Sequence, residues 1–390
     1  MPKLIVIDPC LGNMNGHEYA MNSFIVSEGK KHGYDPVVLC YYKYQPNPHD
    51  TMKTISIFRR SPYDKIERSL AYDKAALEKG NRELLSVLTK TVPSKSLPEN
   101  SMILLHTACN TLLIGLARWL KKINRPDLKI RIVLRWPATR RVFDREHAEN
   151  FCAKACSIYP RLRGDIRFYS DNKGLVEYYR KLTGLHFEQT PIGIQFHDIP
   201  QIPSPDLNVN HLRYVFAGVP RKEKGIDHIA NCLPTYIPHY PLDQFFIHTI
   251  NAYNFAKNLR RDHPDHVFTH NEFLTGKPYF EFLLLGDVVL IPYDIKSYEL
   301  RTSHIFMEAL GLGRAVIVSK GSWMEEVLQE IDIPLGVVMN SWTSQGLLSA
   351  MVEMHQRRNE ILTNAYEYAS TIRDTHNPTR WMELMFAPKS

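Results

Sequence analysis

Two stretches of the 390-residue chain place cations, hydroxyls and a carboxylate where a phosphorylated ligand could be gripped. In Gly218-Val-Pro-Arg221-Lys-Glu-Lys224-Gly225 a cationic loop lies between an apolar run opening at Leu212 and a helix start at Ile226. Strand, glycine, cationic loop and helix make a phosphate-directed construction, with Arg221 and Lys224 best placed to meet a diphosphate. In the second stretch Tyr298, Glu299, Arg301, Thr302 and Ser303 precede Ile305, Phe306, Ala309 and Leu310, whose spacing gives a helix with one apolar face. The first-turn N–H groups and positive end of such a helix can hold a phosphate without side-chain charge, and Ser303 and His304 sit where those donors should be. Glu308 follows one turn later on the side of the loop. Two further positions stand at strand ends. Gly12-x3-Gly16 makes a tight turn before His17, and His106 ends an apolar strand at 101–107, pointing to the crevice where α/β sheets bind ligands.

What is missing narrows the chemistry. No Asp-x-Asp occurs to bridge a diphosphate through a metal, and no G-x-x-x-x-G-K-[ST] loop argues for a nucleotide hydrolase. Neither a G-x-S-x-G elbow nor a C-x-x-C pair is present. Phosphate charge then falls to Arg221, Lys224 and helix N-termini, and neither a metal site nor a cofactor is expected.

The elements that must position these residues read as strand–helix units. Lys3–Asp8 is a first strand, 17–32 a helix stopped by Gly33, and 37–42 a second strand. Further strands are expected at 101–107, 130–135, 166–170 and 189–194, with helices near 72–88, 112–122 and 174–182. Pro200, Pro203 and Pro205 mark a stiff linker. Beyond it, strands at 212–218, 245–250, 266–274, 287–293 and 315–318 alternate with helices, and the chain is mostly helical from Ser341. Repeated βα units predict an α/β fold of two Rossmann-like, doubly wound domains. The first spans 1–199, the linker 200–210 and the second 211–370, with a last helix in 371–390.

Composition fits two separate cores: 44% of residues are hydrophobic. Six cysteines form no metal-ligand spacing, so buried thiols in a reducing, cytoplasmic setting are expected, and a first strand at Lys3–Asp8 predicts no signal peptide. The net charge of +7 is unevenly placed: residues 1–200 carry 31 Lys and Arg against 20 Asp and Glu, residues 201–390 only 17 against 21. The basic half favours an anionic partner such as a membrane surface, with Arg118, Lys121 and Lys122 ending one helix and Arg135, Arg140 and Arg141 flanking a loop beside Trp136. No nucleic-acid-binding motif accompanies the charge.

The two cationic stretches and the strand–helix alternation resemble GT-B glycosyltransferases, particularly the retaining family 4 group. The resemblance implies two domains facing across a cleft, a nucleotide-sugar donor on the second and a glycan or lipid-linked acceptor on the first. It also implies a last helix returning to the first domain. The family's E-x7-E element puts its second Glu, a ribose contact, on Glu308; its first would fall on Leu300, with Glu299 one residue early and Arg301-Thr-Ser303 in place of Pro-Phe-Gly. The G-R-x-x-x-x-K-G signature matches Gly218, Lys224 and Gly225, but Val219 takes the arginine position and Arg221 comes two residues later. By the same likeness Gly12 and Gly16 lie under the donor diphosphate, His17 beside the acceptor, and His106 contacts the sugar. The implied activity is metal-independent, retaining hexosyl transfer at the inner face of the membrane or in the cytoplasm. A nucleotide-sugar 2-epimerase, or a non-catalytic sugar- or polyanion-binding relative, is the alternative.

Overall fold

Runs such as Leu4-Ile-Val-Ile7, Met102-Ile-Leu-Leu105 and Val288-Val-Leu-Ile291 lack polar alternation, so they suit strands covered on both faces. The computed structural model of the chain describes residues 1–13, 17–46, 52–59, 61, 74–139, 144–196, 199, 201–249 and 253–388. Its contacts divide it into two units, Met1–Gly193 with Pro378–Ser390, and Ile194–Asn377.

The first unit is built on β1 (Lys3–Asp8), β2 (Asp35–Tyr41), β3 (Thr54–Phe58), β4 (Met102–Leu105), β5 (Lys129–Val133), β6 (Asp165–Ser170) and β7 (Phe187–Gln189). They form one parallel sheet in the order β3-β2-β1-β4-β5-β6-β7. Its helices are α1 (His17–Lys31), α2 (Lys74–Thr91), α3 (Asn110–Ile123), α4 (Arg145–Cys156) and α5 (Lys173–Thr183). The closing strand pairs through 187–189, earlier than the expected 189–194, because Pro191 has no N–H to give to a ladder.

The second unit carries β8 (Arg213–Phe216), α6 (Ile226–Tyr236), β9 (Gln244–His248), α7 (Tyr253–Asp262), β10 (Val267–His270), α8 (Gly276–Leu284), β11 (Val288–Ile291), α9 (Ile295–Tyr298), α10 (His304–Gly311), β12 (Ala315–Ser319), α11 (Trp323–Ile331), β13 (Gly336–Met339), α12 (Ser344–Gln356) and α13 (Arg358–Thr375). Its parallel sheet runs β10-β9-β8-β11-β12-β13. Both sheets reverse their winding beside their first strand, between β1 and β4 and between β8 and β11. Loops leaving those carboxyl ends diverge there and open a ligand crevice.

The segment expected as a linker at 200–210 lies within the second unit. Buried Arg314 donates Nη2 to the Pro203 carbonyl at 2.9 Å, and the Phe196 ring fills the space that a side chain on Gly311 would need. At the other end α13 stays with the second unit, Arg373 Nη1 donating to the Gly311 carbonyl at 2.6 Å. Only α14 (Pro378–Phe386) joins the first. There Trp381, Met382 and Met385 enter the core of β1 and β4, and fully buried Arg131 of β5 donates Nε to the Met385 carbonyl at 2.8 Å.

Candidate functional site

Tyr214, Val215 and Phe216 anchor β8 in the core of the second unit, so the chain leaves the sheet at the crevice end with Ala217-Gly218. Gly218 has φ +83°, and a Cβ there would lie 2.6 Å from Lys224 Nζ. Glycine is therefore required twice, for the left-handed backbone and for the ammonium beneath it. The Gly218 N–H donates to His248 Nδ1 at 3.2 Å while His248 Nε2 donates to the Glu272 carbonyl at 2.8 Å, which sets the tautomer. Burial lowers the His248 pKa and keeps the ring neutral. The loop closes through a 3₁₀ turn at Lys222–Lys224 and Gly225 at φ +72°, where a Cβ would strike the Pro292 carbonyl.

Lys224 is 7% exposed, its ammonium 5.4 Å from the centre of the Tyr293 ring. Burial first, then the charges of Arg221 and Arg301, pull its pKa from 10.5 to about 7. Arg221 keeps more surface, with Nε 3.2 Å from Glu223 Oε1. Arg301 lies over the Tyr298 ring at 4.7 Å, and Tyr298 packs on Tyr293 at 4.5 Å. An aromatic floor thus carries a cation-rich patch at the carboxyl ends of β8 and β11.

Ser303 is the N-cap of α10: its hydroxyl accepts from the Phe306 N–H at 3.3 Å. The hydroxyl accepts in this cap and keeps its own O–H, so an anion here can meet that donor as well as the N–H groups of the helix end. Thr302 and His304 flank the cap half-buried; Glu299, just past α9, is exposed and Leu300 half-buried. Glu308 sits one turn into α10 and retains some accessible surface. Tyr279 of α8 donates its phenol to Glu308 Oε2 at 2.9 Å. Burial pushes the carboxyl from 4.5 to about 7, against the pull of that hydrogen bond and of Lys224. The second unit thus brings Gly218, Arg221, Lys224, Arg301, Ser303 and Glu308 to one switch point. Tyr279, Tyr293 and His248 support them, residues the sequence reading did not single out.

The first unit presents a different picture. Asp8, at the end of β1 with no exposure, accepts from the Cys10 N–H at 2.9 Å, Thr107 Oγ1 at 3.1 Å and Asn22 Nδ2 at 2.6 Å. His106 Nε2 lies 3.3 Å from both Asp8 Oδ2 and Asn22 Oδ1, and the residue is 2% exposed. The ring expected to face a ligand instead belongs to an interior polar cluster, because a carboxylate buried at the sheet reversal needs donors on every side. Gly12 has ordinary room, a Cβ there reaching Tyr41 at 3.4 Å. Lys121 and Lys122 end α3 exposed, beside exposed Arg118. Gly16, Arg140 and Arg141 lie outside the described residues, as does the His17 side chain. No helix among the described residues is long and apolar enough to cross a membrane.

No protein-family model matches the chain, and no curated protein matches it. Solved structures do, over nearly the whole length. Sucrose-phosphate synthase from Thermosynechococcus elongatus superposes with a TM-score of 0.67 at 13% identity, covering 99% of this chain and 96% of that one. WaaG, a glycosyltransferase involved in lipopolysaccharide biosynthesis, gives 0.66 at 12%, covering 99% and 100%. Anabaena HepE, solved in complex with UDP and glucose, gives 0.62 at 12%, covering 98% of each. The chain therefore has the GT-B fold, two Rossmann-like parallel sheets in one polypeptide. At such identities the likeness shows the fold alone, and function resides in the site built on it.

Proposed function

We propose that the protein is a glycosyltransferase that takes a sugar from a nucleotide-sugar donor held on the second unit and passes it to a glycan or lipid-linked acceptor at the first. The observation that carries this reading is Lys224, sunk under Gly218 with Arg221 beside it at the β8/β11 switch point. A buried ammonium short of counter-charge favours an arriving diphosphate, and its attraction grows as the leaving group gains charge toward the transition state. Arg221 and Lys224 supply that charge, so transfer proceeds without a divalent metal. Glu308 accepts from the ribose hydroxyls, and retention of anomeric configuration follows the likeness to family 4. The UDP complex of HepE supports testing uridine nucleotides first.

The exposed cations ending α3 support an anionic surface, at the cytoplasmic face of a membrane, as the setting of the acceptor. Thermal-shift titration with UDP, GDP, ADP and CMP tests the donor reading. One nucleoside diphosphate at about 100 times its dissociation constant should add roughly 2.7 kcal/mol. No response to any of them would overturn the donor reading. EDTA should leave turnover unchanged, and a strict Mg²⁺ requirement would contradict the metal-free scheme. Binding to anionic vesicles that fades with salt supports the surface, whereas no binding makes a soluble glycan the acceptor.

A further inference from the structure

Building on the donor reading, we propose that Tyr279 is a positioning residue that holds one oxygen of Glu308 so that the other meets the ligand, and so sets how strongly the site selects ribose over deoxyribose. The phenol reaches from α8 to Glu308 Oε2 at 2.9 Å. No other hydrogen bond engages this carboxylate among the described residues, which leaves Oε1 for hydroxyl donors. Burial and the neighbouring Glu308 charge push the Tyr279 pKa well up, so it stays a donor throughout the working range.

The remaining charged or titratable neighbours act on Glu308 without a hydrogen bond to it. Lys224, in the loop after β8, attracts the carboxylate, and Tyr293, after β11, feels its charge. Arg221 and Arg301 act on Lys224 and on Tyr293. Removal of the phenol therefore takes away the one bonded donor while the desolvation stays. Glu308 then keeps its proton to higher pH, loses acceptor capacity, and is freed to turn.

Calorimetric affinities for UDP and 2′,3′-dideoxy-UDP, or the same pair for whichever nucleoside diphosphate binds best, test this in the wild type, Tyr279→Phe, Glu308→Gln and the double variant from pH 6 to 9. The ratio of the two affinities cancels the diphosphate contacts and their own pH dependence. Tyr279→Phe should lower that ratio about five- to tenfold at pH 7, the size of one ordinary net hydrogen bond, with partial recovery by pH 9, where Glu308 is ionised again but no longer held. Glu308→Gln should lower it at every pH, and adding Tyr279→Phe to it should change nothing more, the mark of a shared interaction. An unchanged ratio in Tyr279→Phe would overturn the assignment, as would a pH-independent loss that adds to that of Glu308→Gln. If the wild type binds UDP but does not favour ribose, the positioning role fails while the donor reading stands. If it binds no nucleoside diphosphate, both fail.

Discussion

Lys224→Met should make the unliganded protein more stable while destroying its grip on a diphosphate. Methionine keeps much of the apolar stem that packs near Tyr293 and removes the ammonium. The fall from 10.5 to about 7, at roughly 1.4 kcal/mol per pH unit, means that the ammonium costs the folded state up to about 4 kcal/mol at pH 7. Because the folded value lies below the unfolded one, the unfolded chain binds the extra proton between about 7 and 10.5. Stability of the wild type therefore climbs with pH across that window, and below pH 7 the penalty is complete. Glu308 loses the attraction of Lys224 in the variant, but near pH 7 it can take up a proton at little cost. A gain of about 2–4 kcal/mol is expected at pH 7, shrinking toward zero near pH 10.5. Scanning calorimetry from pH 6 to 10 measures it, with the transition of the second unit assigned as the one that a nucleoside diphosphate raises in the wild type. Equal or lower stability of Lys224→Met at pH 7 would refute the claim that a strained, buried ammonium is kept for a ligand.

Three more outcomes follow from the same geometry. Gly218→Ala should lose about 1–2 kcal/mol of stability from its left-handed backbone, and weaken nucleoside diphosphate binding by displacing Lys224 Nζ; unchanged calorimetric affinity would contradict the contact at 2.6 Å. Affinity for the diphosphate should peak near pH 7, because Lys224 loses its proton above about 7 and Glu308 gains one below about 7; a flat profile between pH 5.5 and 8.5 would argue against both groups touching the ligand. Asp8→Asn should cost about 1–3 kcal/mol in urea unfolding, as mismatching donors around a buried acceptor does, while nucleotide affinity stays within about twofold of wild type; a large affinity loss would assign the Asp8–His106 cluster a part in donor binding.

The residues that the sequence exposes best are those whose role is set by local pattern. The apolar run into Gly218, the cationic turn after it and the Ser303 start of α10 declare themselves because strand, turn and cap chemistry act over a few residues. The depth of Lys224 does not show, since it depends on Tyr293 from another strand end and on the missing side chain of Gly218. Tyr279 lies 29 residues from its partner Glu308, and nothing in an apolar short helix distinguishes its hydroxyl. His106 was legible as a strand-end histidine, but its direction was not. Asp8, 98 positions earlier, draws the ring inward through a pairing that only the β1–β4 neighbourhood creates. Similarly, the prolines at 200–205 suggest a stiff linker between domains, and only the fold shows Arg314 holding that segment to the second unit.

Phosphorus NMR of the bound nucleoside diphosphate tests most directly whether Arg221 and Lys224 hold the leaving group. The β-phosphorus resonance should move on binding to the wild type, move less with Arg221→Ala, and return to its free position with Lys224→Met. The same displaced resonance in a protein lacking both cations would show that the diphosphate lies elsewhere and would contradict the account.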